Sequence, residues 1–144
     1  MSKRSRFAAI VLGAAAAAAP VLGHAQVVDI GKREFSSNCA VCHGVGGKGD
    51  GPLAAQLKKP VADLTVIEKN NGGVLPVDRL YQVIDGRQTI ASHGARDMPA
   101  WGVVYSSDAA AGLCFGSATP KELESFVQGR IVALIGYIHT LQAK

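Results

Sequence analysis

The most constraining feature of the 144-residue sequence is the pentad Cys39-Ala40-Val41-Cys42-His43. Two cysteines three apart fall on nearly one face of a helical turn, and the next residue adds an imidazole. Two thiols in that register can each add to one vinyl group of a single haem, with a His43 ring nitrogen placed under the iron. Three other readings share the spacing. A redox disulfide wants a thioredoxin-like strand–helix pattern, which the sequence lacks. Half a zinc site would need His93 or His139 to complete it. The two thiols can also be structural. The adjacent histidine, together with the export signal described next, favours one haem c attached covalently through Cys39 and Cys42.

Residues 1–25 read as a secretory signal peptide. Lys3, Arg4 and Arg6 form a basic start, and residues 7–19 are an apolar run of 13, too short to span a bilayer comfortably. Pro20 ends that run, and Gly23-His24-Ala25 offers small residues for cleavage after Ala25. An uncleaved anchor is the competing reading. The mature domain is then 26–144, exported to the periplasm and without stable membrane insertion. It carries twelve Lys or Arg against eleven Asp or Glu, a net charge of +1. Neither a nucleic-acid partner nor a polybasic membrane patch has electrostatic support at that balance.

Beyond the leader the chain holds a single methionine, Met98, within Arg96-Asp97-Met98-Pro99-Ala100-Trp101-Gly102. Pro99 stiffens the backbone beside the sulfur, and Trp101 supplies an apolar wall with one N–H donor. Met98 is the favoured second iron ligand opposite His43. A core-filling role for Met98, or ligation by His93 or His139, is the alternative; His139 reads as a surface residue.

With these motifs in place, the chain resembles the class I c-type cytochromes, small single-haem bacterial proteins. Gly31 and Phe35 match the glycine and aromatic that precede the haem motif in that family. Leu134 and Tyr137 match the pair in its last helix, which crosses the first. Residues 44–52 resemble its haem-edge loop, residues 60–65 a segment common in bacterial members, and residues 98–102 its methionine loop. The resemblance implies haem-based electron transfer, with redox proteins as partners: a periplasmic dehydrogenase as donor, and an oxidase or another cytochrome as acceptor. It also implies a backbone carbonyl on the outer nitrogen of His43, for which Pro52 is the first candidate and Pro60 the second. The segment 103–118, which contains Cys114, is longer than the family pattern and has no role in it.

Local physics leads to the same architecture. Residues 28–43 can form a first helix ending in the haem motif. Residues 44–51 contain five glycines in eight and exclude regular structure. Val77, Leu80, Tyr81 and Ile84 lie on one face of a short helix with Gly86 as its stop. Thr119-Pro120-Lys121-Glu122 is a capping box that opens a long helix with a stripe from Leu123 to Leu141. No strand alternation is sustained. The expectation is an all-α, cytochrome c-like domain of three to five helices, with long loops wrapped around one covalent haem. The secondary structure is sparse for the length, so the haem is expected to supply much of the core.

An iron held by His43 and Met98 has no open position, so the sequence predicts an electron carrier rather than an enzyme, with a thioether ligand that favours the ferrous state. A haem subunit of a periplasmic dehydrogenase and a gas-binding haem protein are the rival readings. Cys114 has no remaining partner and lies between Leu113 and Phe115, so it is expected to be a buried, slow-reacting thiol.

Overall fold

The computed structural model describes residues 19–87, 98–111 and 118–143. His93 and Cys114, and most of the leader, lie outside the described residues. Helix α1 (Ala19–Glu34) runs into a five-residue π turn (Phe35–Cys39) and then α2 (Ala40–His43). After the glycine-rich loop come short 3-10 turns at Ala54–Gln56 and Leu64–Val66, then α3 (Ile67–Asn70), α4 (Val77–Asp85), α5 (Trp101–Ala110) and α6 (Pro120–Thr140). The described residues contain no strand. The all-α class expected from the sequence is therefore what the described residues adopt.

The frame is the crossing of α1 and α6. Gly31 permits it: a Cβ placed there would lie 2.0 Å from the Ala133 carbonyl oxygen, so only glycine lets the two backbones touch. One turn on, Phe35 meets Tyr137 with ring centroids 5.2 Å apart and tilted by 54°. Phe35, Val127, Ile131, Leu134, Ile135 and Ile138 are buried around this crossing. Arg130 pairs with the largely buried Glu34 across the same crossing, and its guanidinium lies over the Phe126 ring at 4.7 Å.

Helix ends follow the residues that favour them. Thr119 Oγ1 accepts from the Glu122 backbone N–H, and the Glu122 carboxylate accepts from the Thr119 N–H, which closes the capping box that opens α6. Gly86 ends α4 in the left-handed region at φ 63°. The far end of α6 is tied to the chain after the glycine loop. Gln142 donates to the Leu64 carbonyl at 2.7 Å and accepts from the Glu68 N–H at 3.0 Å.

Two elements depart from the sequence reading. The first helix is not a regular run over 28–43, because Ala40 N–H bonds to the Phe35 carbonyl, an i to i+5 step. And the segment 103–118, which had no assigned role, is helical as far as Ala110. Within α5 the hydroxyls of Ser106 and Ser107 bond back to the carbonyls of Gly102 and Val103, so they do not compete with the helix from outside. Tyr105 and Ala109 turn one buried face to the core.

Candidate functional site

The pentad occupies the end of the first helical run, and the glycine loop folds back on it. The last carbonyls of α2 have no partners within the helix. Here Leu53, Gly51 and Gly49 supply them: their N–H groups donate to the carbonyls of Val41, Cys42 and His43 at 2.9, 3.0 and 2.8 Å. This approach requires a bare backbone, since a Cβ on Gly51 would lie 2.6 Å from the carbonyl oxygens of Ala40 and Cys42. Gly49 is likewise pressed against the Val61 carbonyl, and Leu64 N–H bonds to the Gly47 carbonyl at 2.7 Å. The loop is thus a spacer that brings residues 61–64 beside the pentad.

That placement orients the histidine. His43 Nδ1 lies 3.1 Å from the Ala62 carbonyl oxygen, so Nδ1 carries the proton and Nε2 is the nitrogen left with a free lone pair. The expected acceptors, Pro52 and Pro60, are corrected to Ala62. The turn that fixes Ala62 is built at the next residue, where Asp63 accepts from the Thr65 N–H at 2.8 Å and hydroxyl at 2.7 Å. The Asp-x-Thr spelling of that turn was available in the sequence, but nothing marked the carbonyl before it. Burial lowers the His43 pKa, and the Ala62 hydrogen bond partly offsets this. The ring is therefore neutral, as a ligand must be.

Both pentad thiols are free and half-buried. Burial pushes the Cys39 thiol up to about 12, with the negative charges of Glu34 and Cys42 adding to the effect. An uncharged sulfur suits this position, and a thioether is one. Cys39 and Met98 pack against the same buried core, alongside Leu64, Ile67, Leu80, Tyr81 and Trp101, all only partly covered by protein. Two thiols, an oriented imidazole, a thioether and a half-covered apolar wall are the donor set and surface that a covalent haem requires, and the residues present fit that group. Among the described residues no three His, Cys, Asp or Glu side chains gather into a metal site. His139 is exposed and pairs with Glu68 at 3.0 Å, which takes it away from the pentad.

Two polar clusters near the site were not foreseen. Beside Cys39, Tyr105 is 1% exposed, and its hydroxyl has no hydrogen-bond partner among the described residues. Burial, and then the Glu34 charge, hold its pKa above the usual phenol value. Beneath the start of α5, Arg87 bridges Asp85 and Glu124. Neither cluster has a sequence signature, because each joins residues far apart in the chain.

A family model described as cytochrome c oxidase, cbb3-type, subunit III matches residues 26–114. The chain belongs to this family of c-type cytochrome domains. Membership implies covalently bound haem c and haem-based electron transfer. No curated protein and no solved structure matches the chain. No helix among the described residues is long and apolar enough to cross a membrane.

Proposed function

We propose that this chain is a periplasmic single-haem c-type cytochrome that carries electrons between redox proteins. Cys39 and Cys42 would hold the haem, and His43 and Met98 would bind its iron. Residues 1–25 are a cleaved signal peptide, and 26–144 the working domain. The observation that carries this reading is the Ala62 carbonyl on His43 Nδ1. It commits the ring to one tautomer and one direction, which a surface histidine would not need.

The haem supplies a one-electron Fe(II)/Fe(III) couple. The chain supplies the rest. The Ala62 bond fixes the imidazole plane, so the ligand turns little between oxidation states. The half-covered wall of Leu64, Ile67, Leu80 and Tyr81 excludes water, which favours the less charged ferrous state. Pro99 restricts the backbone beside Met98 and so narrows the range over which its sulfur can be offered. With both axial positions taken, the residues leave no site for a substrate, and the chain acts as a carrier rather than an enzyme.

The test is direct. A Cys39→Ala/Cys42→Ala double variant is expected to lose covalent haem and most folded protein; a normal yield of folded, haem-free protein would refute the assignment. Met98→Ala is expected to abolish the near-infrared absorption of a ferric thioether–iron bond, lower the potential and admit carbon monoxide. The family description favours a second reading, in which the domain is the haem subunit of a larger oxidoreductase. Co-purification with a catalytic subunit at high salt would select it.

A further inference from the structure

The structure assigns a positioning role for Met98 to the Asp85–Arg87–Glu124 cluster, an inference that rests on Met98 being the axial ligand. Asp85, the last residue of α4, is a buried carboxylate, 7% exposed. Its Oδ1 accepts from Arg87 Nε at 2.8 Å, and its Oδ2 from the Arg87 backbone N–H at 3.2 Å. The two remaining arms of the Arg87 fork reach Glu124 on α6, Nη1 to Oε2 at 2.8 Å and Nη2 to Oε1 at 2.9 Å. One guanidinium thus locks the end of α4 to α6 in a single planar arrangement, which a lysine could not reproduce.

The first turn of α5 rests on this lock. A Cβ on Gly102 would lie 2.3 Å from Asp85 Oδ1, 2.8 Å from Arg87 Nε and 2.8 Å from the Asp85 carbonyl oxygen. Gly102 is four residues beyond Met98, and Pro99 restricts the backbone between them. Where α5 begins therefore sets where the Met98 backbone lies, and with it the point from which the sulfur reaches. The Arg87–Glu124 arm is well exposed, with side chains 33% and 44% accessible, and exposed pairs contribute little to stability. What the cluster provides is location. Arg87, Asp85, Glu124 and Gly102 act through Met98 and touch no reacting atom.

The experiment compares intact, haem-loaded variants for the near-infrared thioether–iron absorption and for carbon monoxide binding in the ferrous state. Arg87→Gln and Gly102→Ala are expected to lose more than half of that absorption and to gain carbon monoxide binding, with covalent haem retained. Arg87→Lys is expected to restore only part of the signal. His139→Gln, which breaks the exposed pair with Glu68 at the other end of α6, serves as a control for stability and is expected to keep the full signal. Should Arg87→Gln fail to fold because Asp85 is left unpaired, Glu124→Gln breaks only the exposed arm and is read the same way. Full absorption in folded Glu124→Gln and Gly102→Ala would overturn the inference, as would an equal loss in His139→Gln. A wild-type protein that binds haem but lacks the absorption would instead remove the Met98 assignment, and this role with it.

Discussion

Gly31 and Tyr105 show how much a single atom decides here. At Gly31 the space for one methyl group is filled by the backbone of Ala133, and backbone cannot step aside as a flexible side chain can. Gly31→Ala is expected to cost about 2 kcal/mol by overpacking, read as a lowered urea midpoint with unchanged slope. Tyr105 presents the opposite case, a buried hydroxyl with no partner among the described residues. Tyr105→Phe removes the desolvated group and is expected to be neutral or to stabilise by about 1 kcal/mol at pH 7. Its pH dependence has a definite sign. The folded phenol titrates above its ordinary value of 10.0, chiefly because of burial. The native state therefore favours the protonated form, a contribution that is complete below that value and disappears as pH rises through the folded pKa. Denaturation midpoints followed from neutral to strongly alkaline pH should fall less steeply in Tyr105→Phe than in wild type. The glycine was legible in the sequence through its spacing from Phe35. The tyrosine was not, because its burial depends on α5 docking against α4 and α6.

Among the elements, those announced by local chemistry were the readable ones. Thr119, Pro120 and Glu122 mark the start of α6, and Gly86 marks the end of α4, because caps are built from neighbours in sequence. Helix α5 was hidden. Its buried positions Tyr105 and Ala109 sit among exposed Val103 and two serines, so no clean stripe reaches the eye. The π turn was hidden for another reason: an i to i+5 bond is set by what the two flanking helices must face. In an unbroken α-helix Phe35 would share its face with Cys39. Here Ala40 takes the buried position, 9% exposed, and Cys39 packs at the edge of the core, half-buried. Deleting Ser37, an exposed residue of that turn, leaves Ala40 four residues after Phe35, so a plain α-helix would present the pentad on the same face. The expected result is covalent haem near the wild-type level, measured by intact mass, with helical circular dichroism kept; a collapse of haem content would show that the π turn itself is required.

Taken as a whole, the molecule divides into a self-sufficient frame and a dependent face. The crossing of α1 and α6 closes with protein alone, while Leu64, Ile67, Leu80, Tyr81, Met98 and Trp101 are left partly covered. The haem-free chain is therefore expected to lose most of its native structure, with the amide protection that remains concentrated in α1 and α6; uniform protection would contradict this division. The pentad and Met98 stood out as candidates because metal-ligand chemistry depends on residue type. The Ala62 carbonyl was not, since a backbone acceptor has no letter of its own, and its place depends on how the glycine loop folds. That loop has one more consequence. By composition residues 44–51 look like slack chain, yet the amides of Gly49, Gly51 and Leu53 are each spent on a carbonyl of the pentad. Peptide dipoles fastened in this way cannot swing when the charge beside them changes by one unit. With haem bound at the pentad, the segment that composition marks as softest would hold the reorganisation energy of the redox centre down, and speed of exchange would come from stiffness in a stretch made largely of glycine.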